Sequence, residues 1–155
     1  MRVNKTHLED YAEDSVIMKT NRAIIAVTSK ILNKKSSLLR KYDLSFQQYT
    51  ILRTLSLAEG KPASIKSLTE EMVDKMPNTS RLVTKLEKKG FLIREVSPLD
   101  RRQVEIIITK TGKEIFKNAS QELNKFIIST YKSLNESKLT MLLETLLKLK
   151  ETSAA

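Results

Sequence analysis

Basic and hydroxyl-bearing side chains between residues 77 and 89 have the spacing to bind a polyanion. At about 100° per residue they fall on one face of a predicted helix, whose opposite face carries Leu82, Val83 and Leu86. The outward face carries no carboxylate, and its members are Pro77, Ser80, Arg81, Thr84 and Lys88, with Lys85 at its edge. Guanidinium, ammonium and hydroxyl groups arranged in this way are typical of a helix that contacts bases and phosphates.

A second helix is predicted directly before this one. It covers 64–75, with Ser64 as N-cap and apolar residues at the spacing of one helical face. Met76-Pro77 separates the two helices, because proline disfavours helix at the preceding residue but fits the first position of a new helix. The second helix then runs roughly from Pro77 to Lys89 and ends at Gly90, which suits a C′ position.

A β-hairpin is predicted after these helices. Residues 91–96 and 103–109 are rich in β-branched and aliphatic side chains, and 97–102 between them contains turn residues and two arginines. A helix-turn-helix followed by a hairpin is a winged helix. Such an element lays one helix in the DNA major groove while the hairpin reaches the backbone or the minor groove.

A long amphipathic helix is predicted near the N-terminus, over residues 15–41. Its apolar side chains recur every seven positions and must be buried against something: Ile17, Ile24, Ile31 and Leu38. Its other side is basic, and no acidic residue occurs between 15 and 42. These charges either form a solvated face or take part in binding the DNA backbone or a second subunit.

The start of the next helix is marked by a capping box. Ser45 and Gln48 have the spacing for reciprocal side-chain and backbone hydrogen bonds, and Leu44 and Tyr49 are placed as a hydrophobic staple. We expect this helix to precede the helix-turn-helix pair.

Two helices are predicted after the hairpin. Thr109 can cap the first, which continues to about Leu134, and Asn135 can cap the second. The last helix has a leucine face that consists of Leu139, Leu142, Leu146 and Leu149. This face is larger than a short terminal helix needs for one partner. We therefore expect a dimer interface built from both ends of the chain; the alternative is packing within one chain only.

The sequence contains few of the side chains that enzymes use for catalysis. The only histidine, His7, lies in a polar N-terminal segment, so a nucleophile would lack a base. Glu9-Asp10 and Glu70-Glu71 are better interpreted as solvated positions than as an acid/base pair. No cysteine is present, which excludes disulfides and thiolate ligands, and no glycine-rich phosphate loop occurs. The sequence therefore predicts neither an enzyme nor a metal or cofactor site.

The ordered set of motifs resembles the MarR family of bacterial winged helix-turn-helix transcriptional regulators. The resemblance rests on the run from Asn78 to Arg94, on Asp100-Arg101-Arg102, which matches an Asp-x-Arg wing pattern, and on Ile108-Thr109-Lys110-Thr111-Gly112, which matches a Thr-x-x-Gly helix start. It extends from about residue 16 to 150, because the flanking helices fit too.

The resemblance implies a mainly α fold with a small β-hairpin wing. Residues 1–155 would form one MarR-like domain, with a winged helix-turn-helix over 45–109 and dimerisation helices over 15–42 and 110–151. The implied dimer interface contains Ile17, Ile24, Leu139, Leu142, Leu146 and Leu149.

Roles follow for the side chains of the predicted DNA-binding surface. Base edges would be contacted by Ser80, Arg81 and Thr84 with the helix-start residues Pro77 and Asn78. Lys85 and Lys88 would hold phosphates, which gives affinity without sequence information. Arg102, helped by Arg101, would enter the minor groove, with Asp100 as a brace of the wing tip.

Aromatic residues on the helices surround a cleft in proteins of this family. The resemblance implies a candidate effector pocket for a small aromatic or anionic molecule at Tyr42, Phe46, Tyr49 and Phe116; Phe126 and Tyr131 lie on the same helices. The alternatives are that these rings are plain core, and that the protein binds no ligand at all.

The overall charge favours a polyanionic partner. The chain carries 28 basic and 18 acidic residues, a net charge of +10. Nucleic acid is the first expectation, ahead of an acidic membrane surface or protein, and a merely solvated basic surface is the alternative. No secretory signal or membrane-spanning run is visible, so we expect a cytoplasmic protein.

We expect a homodimeric, sequence-specific regulator of transcription that binds double-stranded DNA at a palindromic operator, most simply as a repressor. The alternative is a winged-helix module for protein or RNA contacts. An amphipathic membrane-surface protein is disfavoured, because basic residues also lie on the hairpin and the recognition-type helix. The operator and the target genes do not follow from the sequence.

Overall fold

A computed structural model of the 155-residue chain describes residues 15–58, 60–71, 78–97 and 103–152. In chain order, these ranges contain α1 (Val16–Arg40), α2 (Phe46–Leu57), α3 (Ile65–Glu70), α4 (Thr79–Lys88), β1 (Leu92–Val96), β2 (Val104–Ile108), α5 (Lys110–Tyr131) and α6 (Glu136–Thr152). The predicted mainly α fold with a hairpin wing is thus confirmed. None of the described helices is long and apolar enough to cross a membrane.

Side-chain caps start most of the helices, as the sequence predicts. In the predicted capping box of α2, Ser45 Oγ accepts from the Gln48 amide at 3.2 Å, while Gln48 Oε1 accepts from the Ser45 amide at 3.0 Å. The other confirmed caps are Ser64 on α3, Thr109 on α5 and Asn135 on α6. Ser15, which the sequence analysis does not name as a cap, also caps α1. Each cap satisfies an amide that the first helical turn would otherwise leave without a partner.

Two helix ends differ from the sequence prediction or lie outside the described residues. Helix α5 ends at Tyr131 rather than at about Leu134, because the Leu134 amide donates to the Tyr131 carbonyl at 2.9 Å and closes a turn. Helix α3 ends at Glu70, whereas the sequence predicts a helix over 64–75. The predicted Met76-Pro77 break lies within residues 72–77, which are outside the described residues.

The chain divides into two compact units, Met1–Ala119 and Ser120–Ala155. The first unit has a closed apolar core, to which the helices α1, α2, α3 and α4 and both strands of the wing contribute side chains. The side chains that are 1% exposed or less include Leu39, Ile51, Leu52, Leu55, Leu68, Val83, Leu86, Leu92 and Ile106. The single domain predicted for residues 1–155 stays a prediction.

The wing is a two-stranded antiparallel hairpin with an isolated backbone bridge beside it. Strand β1 pairs with β2 in a register that runs from Leu92 opposite Ile108 to Val96 opposite Val104. Ala63, directly before α3, exchanges two backbone hydrogen bonds with Ile106, at 3.0 and 2.8 Å. The wing is therefore anchored to the helix-turn-helix at its base.

Gly112 lets the first turn of α5 approach the base of the wing. A Cβ placed on Gly112 would overlap the carbonyl oxygen of Phe91 and lie 2.9 Å from Ile108 Cγ1. The Thr109 amide donates to the same Phe91 carbonyl at 3.1 Å, and Thr109 Oγ1 donates to the Gly90 carbonyl at 2.7 Å. A side chain at 112 would break this close contact.

Helix α6, in the second unit, exposes most of its apolar side chains. No residue of α6 is buried, and its leucines are exposed or half-buried. Within this unit, the C-terminal part of α5 and α6 form the walls of an apolar groove of about 540 Å³, lined among others by Ile127, Tyr131, Leu134, Leu139, Leu142 and Leu146.

Candidate nucleic-acid interface

Helix α4 presents the two faces that its sequence predicts. Thr79, Val83 and Leu86 are buried, and Leu82 is half-buried. The opposite face is exposed and contains Ser80, Arg81, Lys85 and Lys88, whereas Thr84 is half-buried. Asn78 is exposed at the N-cap position and makes no side-chain capping bond. The described part of the predicted base-contacting and phosphate-contacting set therefore lies on one helix.

The C-terminus of α4 is closed by a Schellman motif. The Phe91 amide donates to the Leu86 carbonyl at 3.0 Å, and the Gly90 amide donates to the Glu87 carbonyl at 2.8 Å. Gly90 has φ +72°, the left-handed conformation that glycine adopts without steric cost. The predicted role of Gly90 as the C′ residue is confirmed.

An ion pair fixes the same end of α4 to the turn between α1 and α2. Lys89 Nζ lies 3.0 Å from Asp43 Oδ2 and also donates to the Asp43 carbonyl. Asp43 itself has φ +53°, in the left-handed region that aspartate tolerates better than most residues. This connection between residues 46 positions apart has no signal in the sequence pattern.

Arg94 on β1 makes three polar contacts with α4. Its Nη2 donates to Thr84 Oγ1 at 2.7 Å and to the Ser80 carbonyl at 3.4 Å. Its Nη1 lies 3.5 Å from Glu87 Oε2. Helical periodicity in the sequence predicts no role for Arg94 at this surface. The alternation of side chains along β1 could have indicated one, because it places Arg94 on the same face as the buried Leu92, where a cation needs polar partners.

The Thr84 hydroxyl is engaged within the protein. Thr84 Oγ1 donates to the Ser80 carbonyl at 3.0 Å and accepts from Arg94. One lone pair and the methyl group remain for an outside partner. The prediction that Thr84 contacts a base edge is therefore narrowed to an acceptor or methyl contact.

The basic wing tip lies outside the described residues. The Ser97 amide donates to the Gln103 carbonyl at 2.9 Å, so hairpin pairing continues one step beyond the two strands. The roles predicted for Asp100, Arg101 and Arg102, and for Pro77 at the start of the recognition helix, stay predictions.

Three of the four candidate effector-pocket residues lie together. The ring centroids of Phe46 and Tyr49 are 6.5 Å apart, and those of Tyr49 and Phe116 are 5.5 Å apart. Lys35 Nζ lies 5.8 Å from the Phe46 centroid. Tyr42 lies in the turn after α1 and is half-buried.

A cavity of about 790 Å³ adjoins Phe46, with α1 on one side and the start of α2 on the other. Leu32, Ser36, Arg40, Asp43 and Gln47 are among the residues that line it. Among the residues that the structure describes, no cluster of histidine, aspartate or glutamate could hold a metal ion.

The predicted dimer-interface residues are accessible. Five of them are between 38% and 61% exposed, and Leu139 is half-buried. Those five are Ile17, Ile24, Leu142, Leu146 and Leu149. Apolar side chains of this size rarely stay in contact with water in such numbers.

The exposed basic helix α4 follows α3 and is followed by a hairpin anchored at its base, which is the arrangement of a winged-helix DNA-binding protein. Comparison with known proteins identifies the family. Residues 44–104 match the sequence profile of the MarR family. The transcriptional regulator SarZ of Staphylococcus aureus is 31% identical over 106 residues, which cover 68% of this chain and 70% of that protein. SarZ of Staphylococcus epidermidis is 28% identical over 127 residues, 81% of this chain and 84% of that protein.

Solved structures share the fold. A MarR-like regulator from Bacillus cereus superposes with a TM-score of 0.74 at 22% identity and covers 86% of this chain and 95% of its own. The organohalide-sensing regulator RdhR gives a TM-score of 0.78 at 20% identity, with 99% and 88% covered. The chain belongs to the MarR family, and it is a DNA-binding transcriptional regulator.

Proposed function

We propose that this protein is a homodimeric repressor that places α4 in the major groove of a palindromic operator. The observation that carries the proposal is the division of α4 into a buried apolar face and an exposed face of cations and hydroxyls, beside a hairpin anchored at its base. The cations supply salt-dependent affinity, and the hydroxyl and guanidinium groups supply base recognition. Such a repressor works in the cytoplasm, where bacterial DNA is found.

Within this proposal, the contacts on α4 divide by chemistry. Arg81, near the helix N-terminus, contacts a base edge, together with Asn78, Ser80 and the remaining acceptor of Thr84. Lys85 and Lys88, one and two turns further on, contact phosphates. Pro77 begins this surface, and Arg101 and Arg102, held by Asp100, carry it into the adjacent minor groove.

Selection of binding sites from random duplex DNA tests the proposal directly. We expect enrichment of a two-fold symmetric site whose half-sites lie about one helical turn apart. Affinity for that site should fall steeply with salt and exceed affinity for a scrambled duplex. Retention of all duplexes with equal affinity, or preference for RNA or for an acidic protein, would favour the alternative winged-helix module.

A dimer is supported by the exposed leucine face of α6 and by the groove beside it. Burial of such a face against a second copy removes apolar surface from water at about 25 cal/mol per Å². In a two-fold symmetric dimer, each of the two identical subunits would contact one half-site of a palindromic operator. Sedimentation equilibrium of the full chain tests this part of the proposal.

A small-molecule effector is a further part of the proposal. The structure of RdhR has been solved with bound 2,4-dichlorophenol. The structure of the regulator NadR has been solved with 4-hydroxyphenylacetate. NadR superposes with a TM-score of 0.63 at 21% identity, and the match covers 84% of this chain and 91% of NadR. In this chain the Phe46 and Tyr49 rings lie beside Lys35, and Arg40 lines the adjoining cavity. Aromatic rings and cations suit an aromatic acid.

Titration with 4-hydroxyphenylacetate as the probe tests this site. We expect saturable binding by calorimetry and a lower affinity for the selected duplex. Lys35→Met should weaken binding of the probe, whereas Lys66→Met, on α3, is the matched control. Absence of saturation would show that this class of acid is not the effector.

A further inference from the structure

The side chain of Arg94 joins the wing to the recognition helix through three residues of α4. Ser80, Thr84 and Glu87 are spaced by four and three positions, so they lie along one edge of the helix over two turns. The guanidinium contacts all three, at 3.4, 2.7 and 3.5 Å. One side chain therefore spans most of the length of α4 that bears the proposed base contacts.

The chemistry of arginine suits this bridging position. The guanidinium is planar and rigid and directs its N–H groups in fixed directions, which a lysine ammonium does not. The Arg94 side chain is 30% exposed and that of Glu87 is 37% exposed, so solvent weakens the ion pair. The ion pair between Arg94 and Glu87 therefore contributes little to the free energy of unfolding.

We propose that Arg94 is a positioning residue for operator recognition: it holds α4 and β1 in the one relative orientation in which the helix and the wing reach adjacent grooves together. The inference rests on the proposed function of α4. It also assigns Thr84 a structural partner, since the Thr84 hydroxyl is oriented by Ser80 and Arg94 rather than by a base.

Positioning predicts a particular pattern of DNA binding. Non-specific binding depends on the number of phosphates that basic side chains reach, whereas specific binding also depends on the orientation of α4 relative to the bases. Loss of Arg94 should therefore weaken binding to the selected site much more than binding to a scrambled duplex. The slope of affinity against salt should not change, because no phosphate contact is lost.

The test compares four variants with a matched control. Arg94→Ala removes all three contacts, Arg94→Lys keeps the charge without the fork, Thr84→Val keeps the shape of the side chain without the hydroxyl, and the fourth combines Arg94→Ala with Thr84→Val. Arg53→Lys, at an exposed position on α2, is the control. Circular dichroism and thermal unfolding identify any variant that does not fold, and Arg94→Lys then decides in place of Arg94→Ala.

We expect Arg94→Ala and Arg94→Lys to weaken binding to the selected duplex by about tenfold and to the scrambled duplex by about twofold or less. The double variant should lose less affinity than the sum of the two single losses, because both single changes break the contact between Arg94 and Thr84. Hydroxyl-radical footprints should keep the central protection from α4 and lose the flanking protection from the wing.

Two results would overturn the inference while leaving the proposed function intact. A lower salt slope, with equal losses on both duplexes, would show that Arg94 contacts a phosphate directly. If the native protein selects a site and the Arg94 variants bind that site as tightly as the Arg53→Lys control does, Arg94 has no role in recognition. Failure of the native protein to select any site would instead contradict the proposed function itself.

Discussion

The two compact units of this chain bury their apolar side chains to very different extents. In Met1–Ala119, leucines and isoleucines from α1 to β2 form a core with almost no exposed surface. In Ser120–Ala155, α6 has no buried residue although its sequence is rich in leucine. The core of the DNA-binding unit is therefore closed by its own contacts, whereas the leucine face of α6, like Ile17 and Ile24 on α1, needs a covering surface. We infer that a second copy provides it.

Removal of α6 should produce the largest change. Truncation at Glu136 deletes the leucine face, so we expect a monomer or an aggregate in sedimentation velocity in place of a dimer. Loss of the second half-site contact should weaken operator binding by about 10²–10⁴-fold. A truncated protein that still sediments as a well-behaved dimer would disprove the interface.

A milder version tests the same face in the full chain. Leu142→Glu combined with Leu146→Glu should dissociate the dimer, because carboxylates in an apolar interface are costly to desolvate. Met141→Glu, on the other side of α6 and 65% exposed, is the control and should leave the dimer intact.

Single leucine substitutions in the two units should differ in how their cost in stability depends on protein concentration. Leu52→Ala, at a site with 0% exposure, should lower the free energy of unfolding by about 2–5 kcal/mol at any protein concentration. The cost of Leu146→Ala should instead vary with protein concentration, because unfolding is then linked to dissociation. Urea titrations at two concentrations measure both. A Leu146→Ala cost that does not depend on concentration would place that side chain outside the interface.

Smaller effects are expected from the arginines of the DNA-binding surface. Arg81→Ala should cost about 1–3 kcal/mol on the selected site and less on scrambled DNA, if Arg81 reads a base. Arg102→Ala should weaken both more evenly, lower the salt slope and matter most beside A·T tracts, where the minor groove is narrow.

Lys66→Ala, which removes an exposed charge on α3, is the control for these variants. Binding isotherms at several salt concentrations measure all three. None of the changes should alter the dimer. If Arg81 and Arg102 behave like Lys66, the proposed interface is wrong.

The smallest effect is expected from oxidation. Neither unit contains a cysteine, so a thiol or disulfide cannot transmit an oxidant signal. Peroxide at doses too low to oxidise methionine should leave operator affinity unchanged in a fluorescence-anisotropy titration. A loss of affinity that dithiothreitol reverses would contradict this expectation.

Local features of the fold could be predicted from the sequence, because they depend on residues close together in the chain. The capping box of Ser45 and Gln48, the C′ glycine at 90 and the two faces of α4 follow from spacing alone. The contacts of Arg94 with Thr84, and of Lys89 with Asp43, could not be predicted in the same way. They join separate elements, and their partners depend on how those elements pack.

The candidate site was accordingly predicted in part. Its exposed residues on α4 were identified because helical periodicity separates an apolar face from a polar one. The engaged state of Thr84 was missed, since helical periodicity places its side chain on the polar face without showing what lies beside it. The cavity next to Phe46 depends likewise on the distance between α1 and α2, which no pattern in either helix determines.

The close approach at Gly112 has a consequence for experiments on libraries of variants. Because any side chain there overlaps the Phe91 carbonyl, a selection for operator binding from a library randomised at 112 should recover glycine alone. The residue recovered at position 112 then shows whether the close contact between the base of the wing and α5 is kept in the selected molecules. In a library randomised at 108 and 112 together, recovery of alanine at 112 with a smaller side chain at 108 would show that the Phe91 carbonyl can shift away from α5.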